Sequence, residues 1–231
     1  MVSNAIRQPA GASPVLAEGV IVRPMNKDDV PEVGQIHKEA FAGYMNTRLG
    51  ASYTRAFLRW FLTSKGAAAL VAREPHGTIV GYVLGAPIDY GPAMNRDLLF
   101  TAATSVIIRP WLFFSQTFWT IVAGRIRSTF NIAPAHKPVF RYPEPAMSLV
   151  ALGVASCARG KKIGLCLLLA FEDKARELGV RSLQLTVYRT NVAARKLYEA
   201  NGWTALQEEA GEETAIQYFR YLQDEAIVPG A

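Results

Sequence analysis

Met147–Val154 (MSLVALGV) is apolar on both faces, so a strand there belongs inside a sheet rather than at its rim. A basic, glycine-containing turn follows at Ala158–Lys162. Ile163–Leu178 then reads as a helix, with Leu168, Phe171, Ala175 and Leu178 on one face and Glu172, Asp173, Arg176 and Glu177 on the other. Gly179 ends it, and Ser182–Tyr188 alternates through Leu183, Leu185 and Val187. Strand, turn, helix, strand is a βαβ unit, and it confines the chain to an α/β architecture.

Upstream, Gly19–Arg23 (GVIVR) predicts a first strand closed by Pro24. Asn26 is placed to cap a helix with an acidic first turn and Val30, Val33, Ile36, His37 and Ala40 along it. Tyr53, Phe57, Trp60 and Phe61 recur at helical spacing over Ser52–Ser64. Ala68–Arg73 and Thr78–Ala86 predict a hairpin around Pro75–His76–Gly77, and Gly81 and Gly85 let something approach the second strand closely. Leu98–Ile126 is almost wholly apolar and aromatic, but Arg109–Pro110 divides it, which predicts two helices rather than a membrane span. Downstream, Val192–Ala200 predicts a short helix capped by Thr190 or Asn191, and Trp203–Gln207 and Thr214–Tyr221 a last pair of strands.

Half of the 231 residues are hydrophobic and 19% are charged, which excludes wholesale disorder. Two cysteines, Cys157 and Cys166, exclude a disulfide scaffold and fit a cytoplasmic protein with reduced thiols. Met1–Val15 has no apolar core of signal-peptide length, and residues 1–18 read as a loose tail. A net charge of +6 suits an anionic ligand or merely a soluble surface. The chain shows no helix-turn-helix, zinc or ribonucleoprotein signature, so nucleic acid is not the expected partner.

Two constellations carry chemistry. The turn Arg159–Gly160–Lys161–Lys162–Ile163–Gly164 opens a helix after an inner strand. Helix N-terminal amides converge there, the glycines remove obstructing side chains, and three cations add positive charge. Alone, it fits either a pyrophosphate cradle or an ordinary basic helix start. It has neither the Walker A nor the dinucleotide-fold spacing. Further on, Asn191, the small pair Ala193–Ala194 and Tyr198 share a helix along which a ligand could pass. Tyr198 fits a general acid or a packing tyrosine.

Together, LGVASCARGKKIGLCLLLAFEDKARELGVRSLQLTVYRTNVAARKLYEANGW resembles the core of the GNAT superfamily of acyl-CoA-dependent N-acetyltransferases. The resemblance is clearest over residues 147–205, and the order of elements extends it to about 19–222. Arg159 and Gly164 match the family's Arg/Gln-x-x-Gly-x-Gly/Ala signature, with Lys162 where its first glycine belongs. A non-glycine residue there is strained if its φ is positive. Asn191, Ala194, Leu197, Tyr198 and Gly202 stand where the family has them.

The resemblance implies one domain over 19–222 with a mixed, mostly antiparallel sheet flanked by helices, a helical insertion at about 95–130, and tails at 1–18 and 223–231. It implies acetyl-CoA, or another acyl-CoA, as co-substrate without a metal, and direct transfer to a primary amine of a small molecule, with amino sugars among the acceptors. Leu152, Gly153 and Val154 would pair with the pantetheine arm, and the 159–164 amides would hold the pyrophosphate. Asn191 would touch the pantetheine beside Ala194, an N–H near Val154 would polarise the thioester, and Tyr198 would protonate the departing thiolate. Where many relatives carry a glutamate base this chain has Ser148; Glu144, His37, Glu39 and Tyr44 are the other groups on the acceptor side. A non-catalytic module that senses CoA or binds a partner is the alternative. Aromatics in the insertion allow a homodimer, and membrane contact is not expected.

Overall fold

The computed structural model describes residues 19–42, 47, 49–107, 143–206 and 215–222. Its strands are β1 (Ile21–Pro24), β2 (Ala68–Arg73), β3 (Ile79–Pro87), β4 (Ala146–Val154), β5 (Ser182–Tyr188), β6 (Thr204–Ala205) and β7 (Ala215–Tyr221). Its helices are α1 (Val30–Ala40), α2 (Ala51–Thr63), α3 (Tyr90–Ile107), α4 (Ile163–Glu177) and α5 (Val192–Ala200). The strands form one sheet in the order β1-β2-β3-β4-β5-β7-β6. The apolar β4 is its middle strand, and only the β4–β5 pair is parallel. The tails expected at 1–18 and 223–231, Tyr44, and the helix expected from Pro110 lie outside the described residues.

Local chemistry sets the entry into α1. Asn26 Oδ1 accepts from the backbone N–H groups of Asp28 and Asp29, and Asp29 Oδ2 accepts in return from Asn26 N at 2.7 Å. This reciprocal capping closes a short 3-10 turn, Lys27–Asp29, before Pro31 starts the helix proper. Arg23 of β1 grips the same carboxylate with two 2.7 Å bonds and holds the Asp29 carboxyl below the usual range.

Two cores form, one on each sheet face. On one, Ile163, Leu167, Leu168, Phe171 and Ala175 of α4 pack on Val83, Met147, Leu149, Leu183 and Leu185. On the other, α1, α2 and α3 bring Val33, Tyr53, Phe57, Leu58 and Leu98 against Val71, Tyr82 and Leu84. The closely approaching element at Gly81 and Gly85 is α4. A Cβ on Gly81 would lie 2.9 Å from Leu167 Cδ1, and one on Gly85 would run into the Phe171 ring. Phe171 is fully buried, which contributes about 2–3 kcal/mol.

Four expectations need correction. The helix expected from about residue 95 begins at Tyr90, because Pro92 falls in the first turn, where its missing N–H is harmless. Leu178 does not join the apolar face: α4 ends at Glu177 and Leu178 is 41% exposed. Glu172 is not on the solvated face but 1% exposed, because Trp203 and Arg220 reach it from the far end of the chain. Burial nevertheless pushes its carboxyl above the usual range. The strand expected over 203–207 is only Thr204–Ala205, since Trp203 turns into the core.

Candidate functional site

The parallel pairing of β4 with β5 is brief. Ala146, Met147 and Ser148 pair with Ser182, Leu183 and Gln184, and then the strands part. Beyond that point β4 still pairs with β3 and β5 with β7. The facing edges are left without a strand partner among the described residues, so their N–H and C=O groups are open to a ligand. At the parting, β4 carries one extra residue: Gly85 faces Leu149 and Leu84 faces Ala151, so Val150 bulges.

A cleft of about 880 Å³ fills the gap. Leu149–Val154 of β4 form one wall, Leu185–Val187 of β5 with Asn191, Ala194, Leu197 and Tyr198 the other, and Ala40 and Phe41 close it from the side of α1. Arg159, Gly160, Lys162, Ile163 and Gly164 form its end. Expected site residues from three elements thus meet in one channel. Phe41 and Thr186 line it as well, and nothing in the sequence distinguishes them from ordinary packing and surface residues.

The turn at the end of the cleft is built for an anion. A second 3-10 turn, Ser156–Ala158, leads to Arg159 in an extended conformation, then to Gly160 at φ 81°. Lys162 adopts the left-handed conformation, φ 60° and ψ 12°, immediately before α4. Among the described residues, the N–H groups of residues 160–164 have no backbone acceptor, and no side chain caps α4. Unsatisfied helix N-terminal amides attract negative charge, which Arg159 and Lys162 reinforce. A Cβ on Gly164 would enter the space between Leu197, Leu152 and Val154, 3.6–3.8 Å from each. Lys161 points elsewhere: its ammonium lies 3.9 Å from Glu74 in the β2–β3 hairpin, and it does not line the cleft. The open edge, the apolar walls and the amide-rich end fit a long thiol-bearing arm that terminates in phosphates.

Asn191 caps α5, its Oδ1 accepting from Ala194 N at 3.2 Å. Tyr198 faces the cleft from the same helix, 6% exposed, with its ring 5.7 Å from Trp203 and 6.1 Å from Tyr218. The residues considered as a base are scattered. Glu144 is exposed ahead of β4 and does not line the cleft. Ser148 is 8% exposed and lies in the ladder between Ala86 and Gln184, on the face covered by α1–α3. Glu39 is exposed and accepts from Ser156 Oγ at 3.4 Å. His37 is buried, with Nδ1 2.5 Å from the hydroxyl of Tyr82, and burial lowers its pKa to about 4.

Residues 113–203 match the family model described as the acetyltransferase (GNAT) family. No curated protein matches the chain in sequence. Among solved structures, a GCN5-related N-acetyltransferase from Kribbella flavida is similar at TM-score 0.57 and 17% identity, over 88% of this chain and 98% of that one. The acetyltransferase-like protein yncA from Salmonella typhimurium, solved with its cofactor acetyl-CoA, is similar at TM-score 0.55 and 15% identity, over 90% and 96%. PaiA N-acetyltransferase from Thermoplasma acidophilum, in complex with coenzyme A, is similar at TM-score 0.52 and 13% identity, over 88% and 99%. Parted central strands, an amide-rich turn, the sequence match and the shared fold agree: residues 113–203 are similar to the acetyltransferase (GNAT) family, and the chain has the fold of these solved acetyltransferases.

Proposed function

We propose that the protein moves an acetyl or other short acyl group from coenzyme A to a primary amine of a small molecule, an amino sugar being one acceptor class to test. The observation that carries this reading is the parting of β4 from β5 toward a turn whose amides are unsatisfied. The pyrophosphate would lie on the amides of residues 160–164, with Arg159 and Lys162 as counter-charges. The pantetheine would run along Leu152–Val154, past Asn191 and Ala194.

Chemistry then needs both reactants held together. The neutral amine attacks the thioester carbonyl carbon, and an N–H of the β4 edge near Val154 takes up the charge that develops on oxygen. The C–S bond breaks as the tetrahedral species collapses. Tyr198 donates its proton to the departing thiolate, and the amine gives its own to water. Ser148 and Glu144, on the strand and its approach, lie outside the cleft lining and would reach that proton only through further waters. Neither cysteine offers a covalent route: Cys157 is exposed at the turn, and Cys166 is buried in α4 with its thiol pushed up by burial.

The test is calorimetric titration with acetyl-CoA together with thiol release across a panel of amines that includes amino sugars. Saturable binding and turnover on at least one amine are expected. No binding would end the reading. Binding without turnover would favour a CoA-sensing module, the reading that serine at position 148 and the strained Lys162 keep open. The proposal further takes residues 19–222 as one cytoplasmic domain. Sedimentation would show whether it pairs through the exposed Leu99 and Phe100. No helix among the described residues is long and apolar enough to cross a membrane.

A further inference from the structure

His37 of α1 and Tyr82 of β3 form a polar pair inside an otherwise apolar layer. They are 3% and 0% exposed, and His37 Nδ1 lies 2.5 Å from Tyr82 Oη. The rings of Phe41 and Phe57 pack on the imidazole at 4.9 and 5.5 Å. Tyr82 is its hydrogen-bond partner, and burial, not a charged side chain, shifts its pKa. Burial keeps both groups neutral, lowering the imidazole to about 4 and raising the phenol well above its ordinary value. Among the described residues His37 Nε2 is buried with no hydrogen-bond partner.

Hydrogen-bond accounting fixes the tautomer. If Tyr82 donates to Nδ1, one donor, Nε2–H, is left over. If Nδ1–H donates to Tyr82, both the phenol hydrogen and the Nε2 lone pair are left over. The first arrangement wastes less. Either way a buried polar atom has no partner among the described residues, and apolar side chains of similar shape would avoid that penalty. Stability is therefore a poor reason for the pair.

Its location supplies a better one. Tyr82 is the ladder partner of Gly153. A Cβ on Gly153 would lie 2.6 Å from Tyr82 Cε1 and 3.3 Å from its hydroxyl oxygen, so the phenol ring lies across that glycine. Gly153 belongs to the cleft wall, and Phe41, stacked on His37, closes the cleft from the side of α1. We propose that His37 and Tyr82 are positioning residues: the hydrogen bond holds the phenol against Gly153 and thereby fixes the β4 edge at Leu152–Val154, where the acyl thioester is held. The inference rests on the acyltransferase reading. Tyr82 is fully buried, so the pair acts through the strand and not on the substrate.

The experiment compares the full chain with H37L/Y82F, in which both polar partners become apolar, and with H37N, whose side-chain oxygen can replace Nδ1 as acceptor. Amide hydrogen exchange at Leu152–Val154 is read without ligand, and acyl-transfer kinetics and CoA affinity are read with it. H37L/Y82F is expected to stay folded, to exchange faster at those amides, to keep its CoA affinity within about twofold and to lose tenfold or more in kcat. H37N is expected to recover most of both. A V33A variant, which opens the same helix packing without touching the pair, should leave kcat unchanged. Unchanged exchange in H37L/Y82F overturns the inference whatever the activity, and so does faster exchange with unchanged kcat. A wild-type chain that binds no CoA overturns the acyltransferase reading first and the inference with it.

Discussion

The indole Nε1 of Trp203 donates to Glu172 Oε1 at 2.9 Å, and an Arg220 nitrogen lies 3.0 Å from the same oxygen. One buried carboxylate thus ties α4 to β7 and to the turn after α5. Removing Arg220 leaves the buried carboxylate with only the more distant Arg176, 3.9 Å from its other oxygen. Arg220→Leu should cost about 3 kcal/mol in urea unfolding. A loss below about 1 kcal/mol would show that the network adds nothing.

Lys162 is the only non-glycine residue with positive φ among the described residues. The left-handed conformation costs an L-residue roughly 1–2 kcal/mol, of which a glycine returns a part as chain entropy in the unfolded state. Lys162→Gly should stabilise the protein by about 1 kcal/mol and raise Tm by roughly 2–4 °C. Lys162→Ala, equally strained, should bring no gain. Equal melting temperatures for the two variants would contradict the strain.

Gly164 faces Leu197, Leu152 and Val154 at distances an added methyl group tolerates. Gly164→Ala should therefore fold normally. Gly164→Asp places a negative charge where phosphate is expected and should weaken CoA binding about tenfold or more, equivalent to about 1.4 kcal/mol. Normal affinity in that variant would mean that the phosphates bind elsewhere.

Tyr198 keeps its packing on Trp203 and Tyr218 when only its hydroxyl is removed. Tyr198→Phe should lower kcat by about 100-fold, with little change in the KM for acyl-CoA. The defect should shrink with acyl donors whose thiol is a better leaving group. An unchanged rate on the ordinary donor would discard the proton-donor role.

Burial lowers the His37 pKa from 6.5 to about 4, so the unfolded chain binds the proton more readily than the folded one. The stability tied to neutral His37 is full above about pH 6.5 and is lost as the pH falls through 4, a drop of roughly 3 kcal/mol. His37→Asn should flatten unfolding free energy across that window. A slope identical to wild type would show that His37 does not carry it.

Much of this architecture was legible because it depends on neighbours in sequence. MSLVALGV is apolar on both faces, and a strand with that pattern has nowhere to sit but mid-sheet. Asn26 announces a capped helix within four residues. The basic turn likewise showed its amides and cations in one short stretch. The rest depends on distant partners. Glu172 looks like a solvated helix residue until Trp203 and Arg220 fold over it. Nothing near Lys161 in sequence announces Glu74, which the β2–β3 hairpin brings to 3.9 Å from its ammonium. The cleft itself exists because β4 and β5 stop pairing after Ser148, a matter of strand register that alternation in either strand does not reveal.

The surplus residue at Val150 has a genetic consequence. Met147, Leu149, Leu152 and Val154 all face α4, and Leu149 and Leu152 share that face only because one residue between them is not counted in the ladder. Loss of the Val150 codon would straighten β4 and leave every neighbouring side chain on the face it already occupies. The strand is one amino acid longer than its ladder requires, and the surplus sits where β4 leaves β5 and the cleft begins.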